Sequence, residues 1–280
     1  MIKIKMRKKI ILVIANTLLL LFVLFPFFWM FKTSIEPTTE VYGLPLTWFP
    51  SQPTLAHYAE TINLVNIPLH MLNSLFVAGF NTIIAVSVTS CAGYALGRFS
   101  FRGNRPFSIY LIVTNLMPGI VSIIPFYFFM RDIGLYNTYW ALILAYLFWS
   151  LPFCTLMLRS YFKSSFPNEV HDSGLVDGCS EFSTFWRLCV PVSWPGIAAA
   201  GIFSFILGWN EFFWASIMLT NASMATMPLA LADFIGEMGR NPYVAQFMAA
   251  GVLVTIPAII LFAFLQKYFV MGLTMGSVKG

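Results

Sequence analysis

The segment that decides the fold of this chain lies at residues 166–191 and reads FPNEVHDSGLVDGCSEFSTFWRLCVP. It contains four of the chain's eleven acidic residues, Glu169, Asp172, Asp177 and Glu181, although the sequence on either side is almost uniformly apolar and aromatic. Ionisable side chains are costly inside a membrane, so a chain dissolved in lipid keeps them where it meets water or a partner. The segment therefore predicts a water-facing element between two membrane spans.

The composition of the whole chain indicates an integral membrane protein. Hydrophobic residues make up 59% of the 280 residues and charged residues only 10%, whereas soluble domains carry about 25% charged residues. The mean hydropathy is +0.79. A net charge of +5 also occurs in proteins that bind nucleic acid, but cytoplasmic loops of membrane proteins carry the same basic excess. We therefore expect membrane lipid, and no nucleic acid, among the partners.

Six apolar runs are long enough to cross a bilayer, which takes roughly 20 residues in a helix. They cover residues 10–31, 72–96, 107–130, 139–158, 194–219 and 244–269. The predicted fold class is all-α, a polytopic membrane protein with six transmembrane helices. The first run follows a basic amino terminus, as in a signal peptide, but it is too long for a typical signal core and lacks a small-x-small cleavage site. We expect it to be an uncleaved span.

The distribution of Lys and Arg predicts that both termini are cytoplasmic. With the amino terminus inside, 13 of the 16 basic residues fall in inner segments, and the outer segments hold only Lys32, Arg131 and Arg240. Such an excess marks the cytoplasmic side of a membrane protein. Residues 166–191 are then cytoplasmic, and the segments 32–70 and 220–243 face outward.

Local signals predict two short helices in the cytoplasmic segment. Pro167 suits a first helical position, so a helix from Pro167 to about Val176 is expected. Gly178 can adopt the left-handed conformation that ends a helix, and Ser180 can cap a second one. From the spacing alone, two interpretations are equally open: a docking surface for another protein, or an amphipathic hairpin that only joins two spans.

Residues that carry chemistry are sparse in this sequence. The three histidines are scattered over an outer and an inner segment, His57 and His70 outside and His171 inside, and we expect solvated or interfacial imidazoles rather than a metal-ligand cluster. The spans contain no Ser/His pair or carboxylate pair, and no Gly-x-x-x-x-Gly-Lys-Ser/Thr phosphate loop is present. We therefore predict no catalytic residue, no metal and no cofactor bound by this chain.

The spacing within the cytoplasmic segment resembles that of a known motif. Asp172-Ser173-Gly174 is followed after three residues by Gly178, and after nine more by Leu188-Cys189-Val190-Pro191. This resembles the EAA loop in the inner-membrane permease subunits of ABC importers, whose pattern is Glu-Ala-Ala, three residues, Gly, nine residues, Ile-x-Leu-Pro. Pro167-Asn168-Glu169 and Asp177-Gly178-Cys179-Ser180 are similar to further positions of the carbohydrate branch. The departures keep charge or small size, although Gly174 weakens a helix by about 1 kcal/mol relative to Ala.

Two further stretches resemble the maltose-type second permease subunit of carbohydrate importers. Trp209-Asn210-Glu211-Phe212 is similar to that group's Trp-Asn-Asp/Glu-Phe. The carboxyl end, from Gln266 to Gly280, is similar to its Gln-Arg-Tyr-Phe-Val, Gly-Leu-Thr, Gly-Ala-Val-Lys-Gly ending. With weaker likeness elsewhere, the resemblance extends over essentially the whole chain.

The resemblance implies a type I ABC importer permease fold in the bacterial inner membrane. It implies three regions: residues 1–68 with the amino terminus, first span and outer loop, residues 69–269 as the permease core with a coupling loop at 159–193, and residues 270–280 as a cytoplasmic tail. It further implies uptake of a sugar with the help of three partners: a second permease subunit in a heterodimer, a cytoplasmic ABC ATPase dimer that binds ATP and Mg, and an extracytoplasmic sugar-binding protein. The chain itself is then non-catalytic.

The resemblance also implies two sets of functional residues. The residues expected to couple the spans to the ATPase are Glu169, Asp172, Ser173, Gly174, Asp177 and Gly178. The candidates for the substrate pathway are Trp209, Asn210, Glu211 and Trp214. For the second set a structural interpretation stays open, since Glu211 and Asn210 can form interhelical hydrogen bonds and tryptophan commonly anchors a helix at the membrane interface.

Two other functions remain as alternatives. The chain can be the permease of an importer for a polyol phosphate, an amino acid or a peptide. Less consistent with the sequence is a secondary transporter, which often has paired, Gly/Pro-broken segments in two halves; a single acid within the spans and the lack of an internal repeat argue against it.

Overall fold

The regular structure of this chain is helical throughout the described residues, which are 2–238 and 243–274 of a computed structural model. The α-helices are α1 (Ile2–Ser34), α2 (Thr38–Val41), α3 (Ala56–Leu64), α4 (Ile67–Arg98), α5 (Asn104–Leu116), α6 (Gly119–Asp132), α7 (Tyr139–Ser165), α8 (Asn168–Val176), α9 (Glu181–Thr184), α10 (Val190–Val192), α11 (Trp194–Trp209), α12 (Phe213–Met218), α13 (Met227–Met238) and α14 (Val244–Thr274). A π-helical turn (Phe185–Cys189) joins α9 to α10, and a 3₁₀ turn (Ala222–Met224) precedes α13.

The membrane spans agree with the predicted fold class. Within the described residues, four helices are long and apolar enough to cross a bilayer: α1, α4, α7 and α14. Two bent pairs complete a set of six if each pair counts as one span: α5 with α6, bent by 101°, and the helical run Glu181–Val192 with α11, bent by 79°. The chain is thus an all-α protein with several membrane-spanning helices.

Spans three and five are each divided into two helices. Span three, drawn through residues 107–130, breaks at Met117 and Pro118, both of which have extended backbone angles. The residue before a proline is pushed out of the helical region because its backbone collides with the proline ring. Span five, drawn through residues 194–219, breaks after Trp209, and a new short helix begins at Phe213.

Internal contacts divide the described residues into two compact units. The first contains residues up to 68 together with residues 231–256. It is held by buried polar contacts: Lys32 pairs with Glu36, and Thr61 Oγ1 donates a hydrogen bond to the carbonyl oxygen of Gln246 at 3.1 Å. The second contains residues 69–230 and those from 257 onward. The division into regions 1–68, 69–269 and 270–280 stays a prediction.

The second unit is built around α7, which packs against α5, α11 and α12. Small residues let the helices approach closely: a Cβ atom at Gly208 of α11 would lie 3.3 Å from Cα of Ala78 in α4. Asn81 of α4 donates a buried hydrogen bond to the carbonyl oxygen of Ser204 at 2.9 Å. The resulting core supports α7, which continues beyond the predicted end of span four at residue 158 and leads directly into the polar segment.

Candidate functional site: the helical segment between residues 166 and 193

The first short helix, α8, forms where the sequence predicts it. It covers Asn168–Val176, so it begins one residue later than expected, because Pro167 has an extended ψ of 161° and occupies the N-cap position. Glu169 lies in the first turn, where the partial positive charge of the helix end favours an acid.

The turn after α8 is a Schellman motif centred on Gly178. The amide of Cys179 donates to the carbonyl oxygen of Gly174 at 3.0 Å, and the amide of Gly178 donates to that of Leu175 at 3.0 Å. This pattern requires a left-handed residue after the helix, and Gly178 has a φ of +87°. The predicted role of Gly178 in ending the helix is confirmed.

The second helical stretch also begins as predicted. Ser180 is the N-cap of α9, and its hydroxyl oxygen accepts a hydrogen bond from the amide of Ser183 at 3.2 Å. The helix then continues through the π-helical turn and α10 towards α11.

Gly174 is the position at which α8 packs against this second stretch. It is buried, and a Cβ atom there would lie 2.7 Å from Cδ1 of Leu188 and 3.5 Å from Oγ1 of Thr184. A small residue at position 174 is therefore what allows the two stretches to touch.

A buried histidine ties the two stretches together. His171 is 5% exposed; its Nε2 atom lies 2.8 Å from Oε2 of Glu181, and its Nδ1 atom lies 3.0 Å from Oδ1 of Asp172. The expectation of solvated or interfacial imidazoles was wrong, because His57 and His70 are also buried and hydrogen-bonded to backbone carbonyl oxygens. The partners of His57 and His70 lie 21 and 155 positions away, so the sequence does not reveal them.

Arg98 anchors the start of α8 to the end of α4. Its guanidinium donates to the carbonyl oxygen of Phe166 at 2.7 Å and to the side-chain oxygen of Asn168, and it lies over the Phe166 ring at 5.2 Å. Phe166 itself is 1% exposed. Arg98 was not predicted as part of this site, because it lies 70 positions away from Asn168 in the sequence.

The outer surface of the segment combines acidic and apolar side chains. Glu169, Asp172, Ser173 and Asp177 are exposed, as a docking surface requires. Val176 and Phe182, on either side of the Gly178 turn, are 88% and 73% exposed. A docking role for this surface stays a prediction. The sequence analysis also missed these two, although apolar residues within so polar an interval were a usable signal.

The four candidates for a substrate pathway lie at the break between α11 and α12. Trp209 and Trp214 are buried, at 2% and 5% exposure; Trp209 stacks on Phe205 at 5.6 Å, and Trp214 lies edge-on to Phe126 at 5.1 Å. Within this chain, little of either indole is accessible to a ligand. A pathway role for these residues stays a prediction, and Asn210 is the exposed member of the set.

Glu211, which the sequence places within an apolar span, lies in the break between α11 and α12. Its carboxylate accepts hydrogen bonds from the amides of Trp214 at 2.8 Å and Ala215 at 3.2 Å. It therefore caps the amino terminus of α12, whose first amides have no partner within the helix. Among the residues that the structure describes, no group of three or more His, Cys, Asp and Glu side chains is arranged to hold a metal ion.

The helical spans and the segment that interrupts them define a polytopic membrane transport subunit, and comparison with known proteins gives its family. The chain belongs to the family described as binding-protein-dependent transport system inner membrane component, whose model matches residues 89–274. It is accordingly a multi-pass protein of the inner membrane.

Several relatives cover nearly the whole chain. The sulfoquinovosyl glycerol transport system permease protein SmoH of Agrobacterium fabrum is 33% identical over 268 residues, which are 95% of this chain and 93% of SmoH. The trehalose/maltose transport system permease protein MalG of Thermococcus litoralis is 34% identical over 275 residues, 98% of each chain. A solved bacterial ABC transporter involved in the import of the acidic polysaccharide alginate contains a chain with the same fold, at a TM-score of 0.77 and 24% identity, with 94% of this chain and 98% of that chain covered.

Proposed function

We propose that this chain is the transmembrane subunit of an ATP-driven, binding-protein-dependent importer of a carbohydrate. It forms half of the translocation pathway, and a second permease subunit forms the other half. The family supports transport that depends on a binding protein. The names of SmoH and MalG, which are permeases for a sulfoquinovosyl glycerol and for trehalose and maltose, support a carbohydrate as the cargo.

The segment between residues 166 and 193 transmits the work of a cytoplasmic ABC ATPase dimer to the spans. The observation that carries this proposal is the contrast between its two sides. Its inner side is fixed by Arg98, His171 and Gly174, which tie α8 to the end of α4, to α9 and to the π-helical turn. Its outer side presents Val176 and Phe182 to a partner. When a partner binds Val176 and Phe182 and moves, a rigid segment moves with it and displaces the helices to which its inner side is fixed.

The acids on the outer side favour a partner surface that is basic. Glu169, Asp172 and Asp177 are exposed, although one oxygen of Asp172 also contacts the buried His171 ring. Complementary charge steers association and fixes the docking register. The excess of Lys and Arg in the predicted inner segments supports a cytoplasmic location for this surface.

The lateral surface of the spans supports pairing with another permease subunit. The apolar window of α14 is only 11% buried within this chain, and that of α1 is 0% buried. Lipid covers part of this surface, and a heterodimeric partner covers the rest. The sugar-binding protein docks on the outward-facing segment 220–243; residues 239–242 of that segment lie outside the described residues.

Reconstitution tests the proposal directly. The chain is incorporated into proteoliposomes with and without the ATPase, the second permease and the binding protein encoded beside it, and uptake of radiolabelled di- and oligosaccharides is measured. We expect ATP-dependent uptake only when all components are present, and no ATP hydrolysis by this chain alone. Uptake by the chain alone, driven by an ion gradient, would instead identify a secondary transporter, and ATP-driven uptake of only amino acids, peptides or polyol phosphates would replace the carbohydrate assignment.

A matched pair of variants tests the docking surface. Phe182→Ala removes an exposed ring at the Gly178 turn, whereas Phe22→Ala removes an equally exposed ring, at 78%, from α1. Association of the ATPase with the permease, measured by co-purification, should fall for the first variant and stay unchanged for the second. Equal association in both variants would argue against coupling at this surface.

A further inference from the structure

A basic cavity lies at one end of three membrane helices, beside the candidate coupling segment. It is open towards the surface, has a volume of about 530 Å³ and is lined by the end of α4, the α4–α5 loop, the start of α5 and the last turns of α7. Five of the residues that line it are basic, and none is acidic. The basic residues are Arg98, Arg102, Arg105, Arg159 and Lys163.

The charges in this cavity are not neutralised by the chain. Arg159 donates to the hydroxyl of Ser108 at 2.7 Å and to the side-chain oxygen of Asn104 at 3.4 Å, and Arg98 donates to a carbonyl and an amide oxygen. All of these acceptors are neutral. In the described part of the chain, none of the five basic side chains forms an ion pair with a carboxylate.

Contacts within the chain hold the frame of the cavity. The side-chain amide of Asn104 donates to the carbonyl oxygens of Leu96 at 2.9 Å and Phe99 at 2.8 Å, which ties the α4–α5 loop to the end of α4. A Cβ atom at Gly97 would lie 3.2 Å from the carbonyl oxygen of Arg159, so α4 and α7 are in close contact there. An anion entering the cavity therefore meets positive charges that are already positioned.

The neighbourhood of the cavity selects an amphiphile over a soluble anion. It lies where α4 ends and α5 begins, that is, at the membrane boundary of candidate spans. Phe99, Phe101 and Phe107 are 38%, 49% and 46% exposed beside it. Basic pockets between membrane helices bind the head groups of anionic lipids, and exposed aromatic rings at the same depth contact acyl chains.

We propose that this cavity binds the phosphate head group of an anionic phospholipid. The guanidinium groups of Arg98 and Arg159 hold the phosphate at the base of the cavity, and Arg102, Arg105 and Lys163 close over it. Because Arg98 also holds Phe166 and Asn168, the lipid site shares one side chain with the start of α8. The site itself does not depend on the cargo or on the direction of transport.

Lipid retention by charge variants tests the proposal. The full chain, purified with the subunits that accompany it, is placed in nanodiscs of phosphatidylcholine with increasing phosphatidylglycerol, and association of spin-labelled phosphatidylglycerol is measured. The variant R102Q/R105Q alters two exposed residues, one in the α4–α5 loop and one at the start of α5. Its affinity for phosphatidylglycerol should fall roughly 30-fold, since each cation near an anionic head group contributes about fivefold. R102K/R105K, which keeps both charges, should retain most of the affinity.

Two controls keep the outcome decisive. K8Q/K9Q removes two exposed charges at the end of another span, so a loss of equal size there would show a general charge effect and overturn the proposal. In discs of phosphatidylcholine alone, inorganic phosphate at millimolar concentration should not raise the melting temperature of the wild type. If phosphate raises it, and R102Q/R105Q abolishes that effect, the cavity is a site for a soluble anion instead. Unchanged binding of phosphatidylglycerol in R102Q/R105Q would also overturn it.

Discussion

His171 Nε2 lies 2.8 Å from Oε2 of Glu181, and this contact joins α8 to α9 across the turn at Gly178. The buried His171 ring lies 6.4 Å from the Tyr94 and Phe166 rings, measured between centroids, and Tyr94 in turn packs against Phe185 at 4.9 Å. The two halves of the segment and the end of α4 are thus one packed unit. The proposed coupling requires this rigidity, because the turn would otherwise absorb a force applied to α8.

Removal of the His171 ring should loosen the segment. His171→Ala deletes a buried side chain and leaves the half-exposed Glu181 without its partner, so we expect a loss of about 1–3 kcal/mol in stability. Thermal unfolding in detergent measures this, with Arg187→Ala, an exposed change on the same segment, as the control. Equal melting temperatures for both variants would show that the contact does not stabilise the segment.

A bulky residue at position 178 should uncouple ATP hydrolysis from transport. Gly178→Val forces a β-branched residue to a φ of +87°, which costs about 1–2 kcal/mol or more and displaces the turn. Gly134, between α6 and α7, is a matched control because it has a φ of +75°. At both positions a Cβ atom would have no neighbour within 4 Å, so the backbone conformation alone causes the strain.

The expected result is loss of sugar uptake for Gly178→Val while the permease pair still assembles. Gly134→Val should be destabilised to a similar extent and yet transport in proportion to the amount that assembles. If both variants transport equally per assembled complex, the turn at Gly178 has no coupling role.

The contact between Gly174 and Leu188 predicts a suppressor. Gly174→Val should impair uptake, because the added atoms collide with Leu188 Cδ1, 2.7 Å from the Cβ position. Leu188→Ala in the same chain should restore much of the loss. Gly174→Ala should be nearly neutral. The methyl group comes too close to Leu188, but the flexible end of that side chain can move away, and alanine favours the helix by about 1 kcal/mol over glycine. A double-mutant cycle on uptake and melting temperature checks this, and additive effects would contradict the contact.

Substitutions of Glu211 and Asn210 should have different effects, one on stability and the other on transport. Glu211→Ala removes the cap of α12 and should lower stability by about 0.5–2 kcal/mol, whereas Asn210→Ala, at an exposed position, should leave the melting temperature unchanged and raise the KM for the sugar. Uptake kinetics and thermal unfolding distinguish the two. An unchanged KM in Asn210→Ala would remove this residue from the substrate pathway.

Local chemistry made the helices of the candidate coupling segment predictable from the sequence. The helix end at Gly178 and the cap at Ser180 depend only on neighbouring residues, and both are found where they were expected. Arg98 and the partner of His171 were not predictable, since they depend on how α4 approaches the segment. Hydropathy identified six apolar runs but not their bends, because it measures affinity for lipid and not backbone direction. Pro118 was a signal for the bend between α5 and α6. The break between α11 and α12 contains no proline, and the carboxylate of Glu211 caps the helix that follows it.

Photo-crosslinking from the tip of the segment tests the central claim most directly. A benzophenone amino acid replaces Val176, which is 88% exposed, or Leu44, which is 90% exposed and predicted to face the opposite side of the membrane. In cells that express the whole importer, we predict a crosslink from position 176 to the ATPase subunit and none from position 44. A complex that transports sugar but gives no crosslink to the ATPase from position 176, or gives one from position 44, would contradict the account.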